Sequence, residues 1–305
     1  MKIIDLKSNS EIEGISNPTV LCIGNFDGVH LGHRQLVDSV LNVYEKLKGQ
    51  VHNISTGAWF FDSAFYKSTD DIYSLEEKID TFSRLGLDYA IIVDFDEVKS
   101  LSPEEFVNHI KNDCKCVHSV CGEDFRFGSR AAGDAKMLTD LMGGNSTTVS
   151  ILSVDGMPVS STQIRSLLAG GEIEKANALL CENYSICEQV VHGKALGRTI
   201  GIPTINQNAT NKKIILKNGI YSTICTVDGV KYFGVTNVGI RPTVEDSNHK
   251  NIETFIIDFD GDCYGKTTKI EFVSRIRDEM KFDSVDALKA QIKQDIQTTK
   301  DYFKI

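Results

Sequence analysis

The chain has 305 residues, of which 41% are hydrophobic and 25% charged; this is the balance of a globular protein and excludes disordered, collagen-like and coiled-coil readings. At roughly 150 residues per domain, two domains are expected. Thirty-three basic against forty-two acidic residues leave a formal charge of −9. That excludes bulk binding of nucleic acid or an anionic membrane, which needs a basic face, but not a phosphate gripped locally by backbone N–H groups and one or two cations.

The amino terminus, Met1-Lys-Ile-Ile-Asp-Leu-Lys7, has no apolar signal core, and no stretch approaches the roughly 18 apolar residues of a membrane span. Eight cysteines form no C-x-x-C pair, and Cys114-Lys-Cys116 lacks partners at zinc spacing. Reduced, mostly buried thiols in a cytoplasmic protein are therefore expected. Residues 19–23 predict a buried strand. Leu36, Val37, Val40, Leu41, Tyr44 and Leu47 then recur at helical spacing. Ser74-Leu-Glu-Glu77 and Ser102-Pro-Glu-Glu105 are capping boxes opening two further helices. Strand-like runs at 89–93, 117–121 and 147–152 complete an alternation of strand and helix, the pattern of a doubly wound α/β domain with a parallel sheet. Residues 161–181 predict two short helices joined at Gly170-Gly171. Closely spaced strand patterns follow at 185–192, 220–227, 231–239, 252–259 and 269–272, with a tight Asp228-Gly229 turn, and imply a small antiparallel barrel. A last helix after Ser284 carries Val285, Leu288, Ile292 and Ile296 on one face. The expected division is 1–183 and 184–305.

Where strand one meets helix one the chain reads Gly24-Asn25-Phe26-Asp27-Gly28-Val29-His30-Leu31-Gly32-His33. Free N–H groups and the helix dipole favour a phosphate there, and Gly32 lets it approach the backbone. His30 and His33 add donors for charge building on a phosphate under attack. Gly122 and Gly128 bracket a loop able to approach a ligand, in which Phe125 or Phe127 suits either the flank of a flat ring or ordinary core packing. Ser161, Thr162 and Arg165 stand at a helix start, which suits either a Ser/Thr N-cap with a surface arginine or hydroxyl, N–H and guanidinium groups gripping polyphosphate oxygens. Further on, His192-Gly193-Lys194-Ala-Leu-Gly197-Arg198-Thr-Ile-Gly201-Ile-Pro-Thr204-Ile-Asn206 spaces three glycines four residues apart and ends in two oxygen donors, Thr204 and Asn206, suited to Mg²⁺. No G-K-[ST] follows, so it is not a Walker loop.

Together these segments resemble the bacterial bifunctional riboflavin kinase/FAD synthetases, over roughly residues 18–300. Gly24–His33 resembles the family's nucleotidylyltransferase signature, 121–128 its G-x-D/N-F-x-F-G loop, 159–165 its S-S-T-x-I-R segment, and 193–206 its riboflavin kinase motif. Gly234-Val-Thr-Asn-Val-Gly-Ile-Arg-Pro-Thr243 and Glu253-Thr-Phe-Ile-Ile-Asp-Phe259 continue the match, with Phe255 where the family has histidine. Ser55-Thr-Gly-Ala-Trp-Phe-Phe-Asp-Ser-Ala64 lacks the family's F-x-P-H-P-like proline and histidine; Trp59, Phe60 and Phe61 there suit either a flavin pocket or plain packing.

The resemblance implies phosphorylation of riboflavin to FMN by MgATP in the second domain, with Glu253 as general base. It also implies transfer of AMP from ATP to FMN in the first, with His30 and His33 at the α-phosphate. Gly24, Asn25, Phe26, Asp27, Gly32, Ser161, Thr162, Arg165, Gly193, Lys194, Gly197, Arg198 and Gly201 are then the ATP-binding set. Asp124, Phe125, Phe127, Arg277 and Glu279 face the flavin, and Thr204 and Asn206 the metal. Riboflavin, FMN and ATP are the expected partners, with no nucleic acid or membrane; the sequence does not fix an oligomeric state. Two rivals stay open: a riboflavin kinase with an impaired adenylyltransferase domain, and a non-catalytic flavin-binding protein.

Overall fold

The computed structural model describes residues 1–6, 15–61, 71–193, 197, 200–208, 213–214, 216–240 and 250–305. It divides into two compact units, Met1–Ser161 and Thr162–Ile305. Lys194, Arg198, positions 62–64 of the altered segment and positions 241–243 lie outside the described residues.

The first unit is built on six strands: β1 (Lys2–Asp5), β2 (Thr19–Ile23), β3 (Ser55–Phe61), β4 (Tyr89–Val93), β5 (Cys116–Gly122) and β8 (Ser146–Val149). Their order is β1-β4-β3-β2-β5-β8, every neighbour parallel. β2 and β4 are buried at all five positions, as strands covered on both faces must be. From β2 the chain steps outward one way to β3 and β4 and the other way to β5 and β8, so the carboxyl ends of β2 and β5 part at a topological switch point.

Helix α1 (Leu31–Leu47) follows β2, and α2 (Leu75–Arg84), α3 (Phe95–Val98), α4 (Pro103–Asn112) and α5 (Ala135–Leu141) fill the later crossovers. Both expected serine capping boxes form: Ser74 and Ser102 N–H donate to Glu77 and Glu105 carboxylates at 2.7 Å. β8 ends three residues before its sequence pattern does, because Ile151 N–H leaves the sheet to donate to Glu123 Oε1 at 3.0 Å. Short ribbons β6 (Arg126–Phe127) with β7 (Gly133–Asp134) and β9 (Ser153–Val154) with β10 (Met157–Pro158) sit in the connections. Trp59 and Phe60 are core residues, with rings edge-on to Phe106 at 5.3 Å and tilted on Phe82 at 5.5 Å. Packing is what these β3 aromatics do.

The second unit opens with α6 (from Ser161 to Gly170) and α7 (Ile173–Leu179), joined by Gly171 at φ 80°. α7 is tied to the barrel, since Asn177 Nδ2 donates to Phe272 O at 2.8 Å. Strands β11 (Ser185–Gln189), β12 (Ile205–Asn208), β13 (Gly219–Val227), β14 (Val230–Ile240), β15 (Lys250–Ile256) and β16 (Thr267–Arg277) form an antiparallel sheet in the order β11-β16-β13-β14-β15-β12. Val191 N–H donates to Asn206 O at 2.8 Å, so the two edges meet and the sheet nearly closes into a barrel. Asp228 and Gly229 both take positive φ, 49° and 80°, as a primed two-residue hairpin requires. Inside, Thr223, Thr236 and Thr254 link hydroxyls across three strands at 2.8 and 2.9 Å. Helix α8 (Val285–Phe303) ends the chain, with Ser284 as N-cap.

Candidate active sites

In the first unit the Gly24–His33 segment runs from the end of β2 into α1, at the switch point. Phe26 adopts φ 53° and Val29 φ 34°, and the buried Phe26 ring stands edge-on to Phe82 at 5.1 Å. The ring thus anchors the loop in the core. Asp27 is buried; its Oδ1 accepts the Ile72 N–H at 2.9 Å and its carbonyl accepts the Ser161 hydroxyl at 2.8 Å. Asn25 is exposed and Gly24 half-buried.

His30 is the N-cap of α1. His33 N–H donates to His30 Nδ1 and His30 N–H to His33 Nδ1, both at 3.3 Å, and the rings stack with centroids 3.5 Å apart. A Cβ on Gly32 would sit 3.2 Å from the His30 ring, so this glycine is also where the imidazole lies down. Burial pushes the His30 imidazole down to about 4. His33 is held well below its ordinary value by burial first, then by His30 and Lys78. Lys78, fully buried on α2, is a charge that no sequence motif marked.

Beyond β5, Asp124 is exposed, Phe125 half-buried and Phe127 buried. Phe125 and Phe127 lie nearly parallel with centroids 5.7 Å apart, and Phe127 packs on Phe106 at 4.9 Å. Of the two, Phe125 is the ring with a face left to offer. Ser161 ends this unit; Thr162, exposed, and Arg165, half-buried, follow it along α6.

In the second unit a cleft of about 340 Å³ opens on the outer face of the barrel beside α8. Gly197 and Thr204 of the glycine motif border it, as do Glu253 of β15, Arg277 of β16 and Glu279. Its apolar wall is Val235, Phe255, Leu288 and Ile292. Thr204 also borders a smaller neighbouring pocket of about 120 Å³. Asn206 is buried against Gly193, where a Cβ would lie 2.5 Å from its carboxamide; that glycine has to be a glycine. Gly201 turns at φ 77°. Thr204 and Asn206 are hard oxygen donors, a set that fits a divalent cation which keeps water and takes its other ligands from phosphate.

The cleft's ion pairs are specific. Arg277 grips the buried Asp295 of α8 with Nε at 2.9 Å and Nη2 at 2.7 Å, and its Nη1 donates to Asp278 O at 2.9 Å. Its guanidinium is therefore engaged in seating α8. Glu279 accepts from Asn218 at 3.0 Å, and Glu253 Oε1 accepts from Asn251 Nδ2 at 2.7 Å. Asp295 and Asn251 were not among the residues singled out from sequence. For Asn251 a signal existed, since position i−2 on a strand shares a face with Glu253.

Two family models match the chain: FAD synthetase over residues 12–163 and riboflavin kinase over 180–303. The bifunctional riboflavin kinase/FMN adenylyltransferase of Bacillus subtilis is 35% identical over 296 residues, 93% of this chain and 92% of that protein. The protein of the same name from Buchnera aphidicola subsp. Acyrthosiphon pisum is 34% identical over 320 residues, covering 100% and 99%. The Escherichia coli K12 protein is 32% identical over 296 residues, covering 93% and 92%. A crystal structure described as a macrolide-efflux protein from Streptococcus pneumoniae superposes with a TM-score of 0.89 at 28% identity, over 98% of both chains. Among the described residues of this chain no helix is long and apolar enough to cross a membrane. With both family models matched in order and relatives aligned along nearly all of its length, the chain belongs to the bifunctional riboflavin kinase/FMN adenylyltransferase family.

Proposed function

We propose that the chain makes both flavin cofactors, phosphorylating riboflavin to FMN in its 184–305 part and adenylylating FMN to FAD in its 1–183 part. The convergence of Thr204, Glu253 and Glu279 on one half-apolar cleft carries the kinase half. The isoalloxazine ring lies against Phe255, Leu288 and Ile292, which exclude water from it. The ribityl 5′-hydroxyl attacks the γ-phosphorus of ATP and ADP leaves; Glu253 accepts the hydroxyl proton as the new P–O bond forms. Gly193, Lys194, Gly197, Arg198 and Gly201 hold the polyphosphate. Thr204 and Asn206 would hold Mg²⁺, which when bound supplies countercharge for the phosphates. Arg277 serves the flavin end by fixing α8 beside it, and Glu279 by bordering the same cleft.

In the adenylyltransferase half, the FMN phosphate attacks the α-phosphorus of a second ATP and pyrophosphate leaves. Gly24, Asn25, Asp27 and Gly32 shape the backbone cradle, with Phe26 as its anchor. His30 and His33 donate to the α-phosphate as its charge grows. Ser161, Thr162 and Arg165 grip the departing pyrophosphate, and Asp124, Phe125 and Phe127 form the flavin side of the site. Six of the eight cysteines are buried, which supports a reducing, cytoplasmic setting.

The test is chromatography of flavins after incubation with riboflavin, ATP and Mg²⁺. FMN followed by FAD is expected; FMN alone with excess ATP would leave a kinase beside a silent domain, and unconverted riboflavin would sink the enzymatic reading. Glu253→Gln should lower FMN formation by about 10²–10⁴-fold while FAD formation from supplied FMN continues. His30→Asn should do the reverse, with FAD formation down by about 10²-fold or more.

A further inference from the structure

Glu253 lies mid-strand in β15, opposite Asn206 of β12 and Asn237 of β14 in register. Asn251 and Phe255, two residues before and after, share its face of the strand. Asn251 is 6% exposed and its Nδ2 donates to Glu253 Oε1 at 2.7 Å. Its Oδ1 is buried with no hydrogen-bond partner among the described residues. Turning the amide over would set oxygen against oxygen at the carboxylate, so the donor assignment is forced. A carboxamide that leaves its carbonyl buried and unpaired is a cost to the fold, and such costs persist where the other end of the group is needed.

We infer that Asn251 is a positioning residue for riboflavin phosphorylation: its amide holds Oε1 and fixes the plane of the Glu253 carboxylate in the cleft. The inference rests on the reading of Glu253 as the base. At 255, where the family pattern has histidine, Phe255 has no donor, and Asn251 supplies one from the opposite flank. A neutral amide orients the carboxylate with less loss of basicity than a cation would cause. Among the described residues, the other charged groups bordering the cleft are engaged elsewhere: Arg277 and Asp295 pair with each other, and Glu279 accepts from Asn218.

The experiment is the kcat and KM of riboflavin phosphorylation by the full chain carrying Asn251→Ala, Asn251→Leu or Glu253→Gln. Asn251→Ala should lower kcat about tenfold, with KM for riboflavin and ATP held within about twofold, since the lost bond orients the base without touching substrate. Asn251→Leu keeps the shape but has no donor for Oε1, so its kcat should fall about as far, again with KM held. A packing role alone would let the near-isosteric leucine restore kcat. Should the alanine variant fail to fold, the leucine variant still decides, with quenching of riboflavin fluorescence showing the cleft intact. A wild-type kcat in Asn251→Leu, beside an inactive Glu253→Gln, would overturn the positioning role and leave the base standing. Wild-type phosphorylation by Glu253→Gln would instead remove the base itself.

Discussion

His30 and His33 each accept the other's backbone N–H through Nδ1, so in the neutral ring the proton sits on Nε2 in both. The capping exchange thereby fixes two tautomers and leaves two Nε2–H donors, and burial keeps both rings uncharged near neutrality. They meet the nucleotide as donors, and the phosphate's own charge then favours their protonation. The linkage has a definite sign. With the His30 value near 4 in the fold and near 6.5 in the unfolded chain, the unfolded state binds the extra proton between those values. The His30 contribution to the first unit's stability is therefore fully present above about pH 6.5 and is lost as pH falls to about 4. The loss attributable to His30 is roughly 3 kcal/mol, and His33 adds in the same direction. His30→Asn keeps a capping oxygen and should lessen, though His33 remains, the fall in urea stability between pH 7 and 4.5. Trp59, the single tryptophan and 1% exposed in this unit, reports the transition by fluorescence. Equal pH dependence in both proteins would mean that His30 titrates normally. This pair was legible from sequence because a strand, a loop and a capped helix follow one another in ten contiguous residues; Lys78, which reaches the same place from another helix, was not.

Helix α8 shows at the level of elements what local patterns hold and what they omit. Its apolar stripe, Val285, Leu288, Ile292 and Ile296, predicts the inward face. The fully buried positions are instead Asp295 and Thr299, one step round the helix. Leu288 and Ile292 border the open cleft and stay half-exposed, while Val285 is 56% exposed. The inner seam is polar because partners await it, Arg277 for Asp295 and Ser222 for Thr299 at 2.8 Å. No periodicity announces such a seam, since the burial of a carboxylate depends on a guanidinium eighteen residues away in sequence. Strands β2 and β4 were readable to the residue as unbroken apolar runs. β1 and β12, short and half-polar, are strands only because β4 and β15 offer them an edge. Breaking the Arg277–Asp295 pair strands a guanidinium between β16 and α8. Asp295→Ala should therefore cost the second unit about 3–5 kcal/mol, read as an earlier urea transition in far-UV circular dichroism. The Trp59 transition should stay in place. Retention of the wild-type midpoint would show that α8 is held by its half-buried apolar residues alone.

For the whole molecule, His30 and His33 belong to the first compact unit and Thr204, Asn206 and Glu253 to the second. The chemistry of the two steps is also separable, because FMN is a complete product of one and a complete substrate of the other. A protein with Glu253→Gln should be unable to use riboflavin yet convert added FMN, and one with His30→Asn should stop at FMN. Mixed in equal amounts with riboflavin and MgATP, the two should make FAD after a lag. FMN has to leave one molecule and find another, so the lag should shorten as total protein rises, and added free FMN should abolish it. Wild-type protein at the same concentration should show a shorter lag only to the extent that FMN is rebound before it escapes. A mixture that makes no FAD, while each variant retains its own half-reaction, would mean that FMN passes between the sites of one chain without release. The two activities would then be a single pathway step carried by one molecule, rather than two enzymes on one polypeptide.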